Sequence, residues 1–170
     1  RDVGEVATPL SEIYGLCMFQ DRQGTTYAIA NDKDGTFLQY RLDGSSGQPR
    51  GELVRRFKLD SQPEGCVADD RSERLFVGEE DVAVWVVDAR ADVPAVPEQV
   101  IGVGGPVYDD IEGLAIYHGE RGDYLVISSQ GNDSYVVLDA QAPYGMRGTF
   151  RIGLNAKRGI DGASETDGLE

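Results

Sequence analysis

The chain has 170 residues, 40% of them hydrophobic and 27% charged, and a domain of that size buries about 70% of its unfolded surface, enough for a real core. No apolar run approaches the roughly 20 residues that cross a bilayer, so a membrane-spanning protein is not expected. With 30 acidic and 16 basic side chains the formal charge is −14, a field that repels nucleic acid and anionic membrane and attracts cations.

In chain order, the sequence starts at Arg1-Asp2-Val3 and first signals structure at Tyr14-Gly15-Leu16-Cys17-Met18-Phe19. Similar segments recur as Glu64-Gly65-Cys66-Val67-Ala68, Glu112-Gly113-Leu114-Ala115-Ile116-Tyr117 and Asp167-Gly168-Leu169, with the glycines 50, 48 and 55 positions apart. That period matches a four-stranded propeller blade of roughly 40–50 residues. Both ends read as cuts, with units near 14–62, 63–111 and 112–166 and another beginning at 167.

Within the first unit, Thr26 to Ala30 and Phe37 to Tyr40 are β-rich, and an outer strand is expected over Leu53 to Leu59. The second unit has Arg74 to Val77 and Val82 to Val87, followed by Ala89 to Val100, whose prolines and valines suit a linker. The third has Tyr124 to Ile127 and Tyr135 to Leu138 around the turn-rich Ser128-Ser129-Gln130-Gly131-Asn132-Asp133, then Gly148 to Ile152. No amphipathic helix appears, so the fold class is all-β, a β-propeller segment of about three blades. A sandwich is the competing all-β architecture, but a repeated glycine at the start of each unit favours radial repetition. Cys17 and Cys66 lie in apolar stretches and read as buried free thiols, neither as a disulfide framework nor as zinc ligands.

An antiparallel blade brings the start of its first strand to the same edge as the end of its second. Tyr14, Glu64, Asp110, Glu112 and Asp167 should therefore share one mouth with Asn31-Asp32-Lys33-Asp34, Glu79-Glu80-Asp81 and Gln130-Gly131-Asn132. Carboxylates so crowded repel each other unless a cation intervenes. With His118 the one imidazole, oxygen donors favour Ca²⁺ over octahedral Mg²⁺. An EF-hand loop fails, because Ala30 and Arg41 would fill its first and twelfth positions. Lys33 is the lone cation in the ring, suited to gripping a phosphate or to a plain salt bridge. No catalytic triad, Walker loop or dinucleotide fingerprint is present. Trp85, Phe76 and Tyr124 read as sheet-packing residues, and His118 as part of a surface turn.

Asp110-Ile111-Glu112-Gly113-Leu114, Ser128-Ser129-Gln130-Gly131-Asn132 and Glu165-Thr166-Asp167-Gly168 resemble the hallmark segments of β-propeller phytases. Further matches are Tyr14-Gly15-Leu16, the Lys33 turn, Glu64-Gly65 with Ala68-Asp69-Asp70, and Glu79-Glu80-Asp81 ahead of Trp85, so the resemblance spans nearly the whole chain. It implies a six-bladed propeller, of which this sequence holds about three blades, hydrolysing phosphomonoesters of phytate with Ca²⁺ as cofactor. By position it implies that Glu64, Glu80, Asp110, Glu112, Asp161 and Asp167 are calcium-ligating or catalytic carboxylates, and that Tyr14 and Lys33 meet metal-bound water or phosphate, with Gln130, as a substrate contact, and Asn132 softer matches. Glu165 stands where an Asp is usual, and Asp34 follows Lys33 where a Glu is frequent. The expected partner is phytate or calcium-phytate, and the complete protein is expected to be a secreted or periplasmic monomer. A non-catalytic, calcium-stabilised propeller module is the alternative; a one-calcium lactonase would want a His or Asn set that is missing.

Overall fold

The computed structural model describes residues 4–45, 47–166 and 168–169. Among them twelve strands form three four-stranded antiparallel sheets in simple meander order. The first sheet holds β1 (Gly15–Gln20), β2 (Thr26–Asn31), β3 (Thr36–Asp43) and β4 (Arg50–Lys58). The second holds β5 (Pro63–Asp69), β6 (Arg74–Glu79), β7 (Ala83–Asp88) and β8 (Glu98–Gly102). The third holds β9 (Ile111–Gly119), β10 (Gly122–Ser129), β11 (Ser134–Asp139) and β12 (Met146–Phe150). β1 packs against β5 and β5 against β9, so the first strands stand side by side as the inner strands of successive propeller blades.

Strand periodicity builds two cores from one middle sheet. Along β6, Leu75 and Val77 turn toward the first blade and join Phe19, Ile29, Phe37 and Phe57. Phe76 between them turns the other way, toward Leu114, Leu125, Ile127 and Val136 of the third blade. Alternate residues of a strand point to opposite faces, and here both faces are apolar because a blade lies on each side. Every one of these side chains is at least nine-tenths buried, which contributes about 1.5–3 kcal/mol for each large one. Phe37 and Phe57 stack with centroids 4.6 Å apart.

The recurrent glycines are explained by the inner strands. A Cβ on Gly15 would lie 2.3 Å from the Glu64 carbonyl oxygen, and one on Gly65 would lie 1.6 Å from that of Glu112. Only a bare α-carbon allows neighbouring blades to approach so closely.

Three sequence expectations are corrected. Cys17 and Cys66 are not free thiols but a disulfide joining β1 to β5. The repeat carries both cysteines to adjacent inner strands, where their Cα atoms stand 5.9 Å apart, within bridging range. Closing that long loop contributes about 4 kcal/mol in the chain-entropy treatment. His118 lies in β9, not in a turn, with Nδ1 2.8 Å from Asp123 Oδ1 and Nε2 3.6 Å from buried Asp69. The linker after β7 ends earlier than expected, because β8 already pairs with β7 from Glu98. Its irregular part is pinned by Arg55 of β4, whose guanidinium donates to the carbonyls of Asp88 and Val93 at 2.8 and 3.0 Å.

Candidate active site

The expected edge is where the blades place it. Gly15 pairs with Asn31, Pro63 with Glu79 and Ile111 with Ser129, so each first strand begins where its second strand ends. The residues flanking these pairs form the candidate site.

Tyr14, just ahead of β1, is fixed by its amide, which donates to the Asn31 carbonyl at 2.9 Å. Its ring carries the Lys33 ammonium 4.2 Å from the centroid, a cation–π contact. Lys33 also lies 3.7 Å from Glu12. Glu12 is positioned by Asp32, whose Oδ2 accepts the amides of Ser11 and Glu12 at 2.8 and 3.4 Å. The Tyr14 phenol is hydrogen-bonded to Glu64, and its pKa is pushed well above the ordinary tyrosine value, first by burial, then by Glu64 and by the charges of Glu80 and Glu112. The shift favours the neutral phenol.

Glu80 follows β6. Gln62 Nε2 donates to its Oε1 at 2.6 Å and reaches the Tyr14 hydroxyl at 3.4 Å, so one amide ties the two together. Burial raises the Glu80 carboxyl above its ordinary range, reinforced by the charge and close contact of Glu64 and by the charge of Asp110, while Gln62 opposes the shift. Asp110 adopts a left-handed backbone conformation, φ 57°, and its carbonyl accepts the Gln130 amide at 3.0 Å. The Asp109 carbonyl accepts the Gly131 amide at 3.2 Å. The Asp109-Asp110 turn is thereby clamped to the short 3-10 turn Gln130–Asn132. Glu112 is buried at the start of β9. Between the inner strands lies a cleft of about 190 Å³, lined by Gly15, Glu64, Gly65, Glu112, Gly113 and Gly168 among others.

Tyr14, Lys33, Glu64, Glu80, Asp110 and Glu112 are thus brought to one mouth, with Gln130 beside Asp110. Asp161 is exposed on the segment after β12, its Oδ1 accepting the Gly162 amide at 2.8 Å, and no contact among the described residues carries it to that mouth. Asp167 lies outside the described residues. Asp34 turns away toward the Thr36 amide and Lys58 Nζ, at 2.9 and 3.2 Å. Glu165 donates its amide to Asp133 Oδ1 at 2.9 Å.

The acidic run 79–81 divides by role. Buried Glu79 accepts the Ser61 amide and hydroxyl, both at 2.7 Å, and the Trp85 indole N–H at 2.8 Å. It is a structural carboxylate, and Trp85 is both packing residue and donor. Asp81 is exposed beside the glycine turn at 104–105. Asn31, fully buried, was grouped with its neighbours in the sequence, yet it has its own task. Its Oδ1 accepts the Gly15 amide at 2.7 Å and its Nδ2 donates to the Glu64 carbonyl at 3.1 Å, linking two blades at the site. An amide at the end of a second strand, opposite a first-strand glycine, is the signal that would have revealed it.

Hard-cation donors dominate this mouth, so the donor set suits Ca²⁺ chemically. Among the described residues, no three acidic, imidazole or thiol groups converge closely enough to hold an ion by themselves. A further cleft, about 750 Å³, is at the opposite edge of the first two blades, where Arg22, Arg41 and Arg90 line it with Asp21 and Glu73. Its arginines pair with Glu73, Glu52 and Asp88.

The chain is 40% identical over 169 residues to a 3-phytase of Bacillus subtilis (strain 168), covering 97% of this chain and 44% of that protein, so it spans less than half the length of that relative. Its backbone is similar to the crystal structure of Myxococcus xanthus glutaminyl cyclase, with a TM-score of 0.58 and 18% identity over 99% of this chain and 65% of the other, a likeness of fold alone. The profile named Phytase matches residues 2–170, and the chain therefore belongs to the phytase family.

Proposed function

We propose that the protein to which this chain belongs hydrolyses phosphomonoester bonds of phytate in a calcium-dependent reaction, and that the mouth built by Tyr14, Lys33, Glu64, Glu80, Asp110 and Glu112 is part of its active site. The observation that carries the reading is Lys33, a single ammonium held over Tyr14 at the rim of a carboxylate group. A cation-storage site has no use for it, whereas a phosphate that must sit beside a metal does.

Each side chain has a role consistent with its setting. Lys33 holds a phosphate oxygen as a point charge and stabilises charge developing there. Tyr14, kept protonated, donates a hydrogen bond and adds no charge of its own. Glu64, Glu80, Asp110 and Glu112 would hold Ca²⁺, joined on the family resemblance by Asp161 and Asp167, while Gln130 contacts substrate. Bound there, calcium would neutralise phosphate oxygens and lower the pKa of a coordinated water. A chain of charge −14 repels a free polyanion, which makes calcium-phytate the fitting substrate form. The Cys17–Cys66 bridge supports a secreted or periplasmic setting, since such bonds persist in oxidising compartments. The full-length protein is taken to be a monomeric ring of six blades.

The test is phosphate release from phytate by the full-length protein with calcium and then with chelator. Release that needs calcium, falls by about 100-fold or more in Lys33→Ala, and disappears in Glu112→Ala is expected. A folded, calcium-binding protein that releases no phosphate would leave the non-catalytic propeller module standing instead.

A further inference from the structure

We propose that the Cys17–Cys66 disulfide is a positioning element of the candidate site, holding Tyr14 and Glu64 in register across the boundary between the first and second blades. The proposal rests on the phytase reading for its kinetic consequence and on the fold alone for its structural one.

The two blade boundaries are not held alike. Between the second and third blades a main-chain bond crosses at the site edge, the Ile111 amide donating to the Glu80 carbonyl at 3.2 Å. The corresponding first residue of β5 is Pro63, paired with Glu79 as Ile111 is paired with Ser129. Proline has no N–H to give. That cross-blade bond cannot form between the first and second blades, at the boundary on which Tyr14 meets Glu64. The ties that remain near the mouth are the Asn31 amide on the Glu64 carbonyl at 3.1 Å, the side-chain bonds of Tyr14 with Glu64 and with Gln62 Nε2, and the disulfide, the one covalent tie among them, which begins two residues beyond both Glu64 and Gly15. The next cross-blade bond along β1, from the Gln20 amide to Asp70 Oδ1 at 2.9 Å, is at the far end of the strand. β5 is irregular between Pro63 and Cys66, as β9 is between Ile111 and Leu114, so it is the missing main-chain bond, not the ladder, that sets this boundary apart. The covalent bridge takes over the duty of that bond.

Reduction makes the dependence measurable. A dithiol reductant gives up two electrons and two protons, is itself closed to a cyclic disulfide, and leaves Cys17 and Cys66 as two thiols. In the full-length protein, Cys17→Ala/Cys66→Val removes the bridge while keeping apolar side chains in its place. Two readouts are taken on oxidised wild type, reduced wild type and this variant: amide hydrogen exchange over residues 14–20 and 63–69, and kcat and KM for phytate with calcium. Exchange at the Tyr14 and Glu64 ends should rise about tenfold on losing the bridge. At the same time kcat should fall about tenfold or more with KM nearly unchanged, as misplacement of reacting groups demands. Reductant should not change the variant further. A folded variant with the wild-type kcat would overturn the proposal, whatever its exchange. If wild type itself released no phosphate, the phytase reading would fall, and the exchange comparison would decide the positioning role: increased exchange supports it and unchanged exchange overturns it.

Discussion

Glu79 and Glu80 are consecutive carboxylates with opposite surroundings. Glu79 receives three neutral donors; Glu80 has one amide and two acidic neighbours. Removing the acceptor at Glu79 leaves the Ser61 amide and the Trp85 indole unpaired, so Glu79→Ala is expected to destabilise the protein by about 2–3 kcal/mol, measured by urea unfolding, with a change in emission from Trp85. Glu80 behaves differently because its folded pKa lies above the ordinary 4.5. Its ionisation therefore opposes folding, not at all below the unfolded pKa and fully above the folded one. Glu80→Gln keeps the acceptor for Gln62 and discards the charge. In chelator at neutral pH it should raise Tm by about 2 °C; the gain should vanish in acid, where the wild-type carboxyl is also neutral. Calcium should stabilise wild type more than Glu80→Gln, since an ion that binds only the folded form stabilises it.

At the scale of the strand, the inner-strand glycines are the least tolerant positions. Gly65→Ala would press a methyl group into the Glu112 carbonyl, and the backbone of two strands would have to part. A loss of about 3 kcal/mol or more in the full-length protein is expected, with Gly24→Ala, which meets no neighbouring atom, as a control for the mutation type, although its φ of +82° adds some strain. Much of this layer was legible in the sequence. Glycine spacing and alternating β-rich runs located the strands, and antiparallel reversal located the mouth that Tyr14, Glu64 and Glu80 share. What escaped were relations across blades. Cys17 and Cys66 become neighbours only when the repeat is closed in space, and His118 reads as a turn residue until Asp69 of the adjacent blade is beside it. Asp34 and Glu79 were placed at the same edge as Lys33 and Glu80, because sequence gives nearness in the chain but not the direction in which a side chain leaves the strand.

The three blades together leave both flanks apolar. Leu16 and Met18 are exposed on the first blade, and Tyr117, Met146 and Phe150 on the third. Surfaces of this kind and unpaired sheet faces invite association. A protein consisting of these 170 residues alone is therefore expected to self-associate in sedimentation and to release no phosphate from phytate. Release at the rate of the full-length protein would contradict this.

The near-contact of inner strands has a geometric consequence. At the centre, bare glycine carbons let adjacent sheets touch, whereas at the periphery the Arg55 side chain must reach across to the carbonyls of Asp88 and Val93. The space between the first two sheets thus widens from hub to rim, and the angle between adjacent sheets determines how many complete a circle. Enlarging a single hub residue would blunt that angle, so the glycines govern not only the fit of one blade to the next but the curvature of the whole wheel.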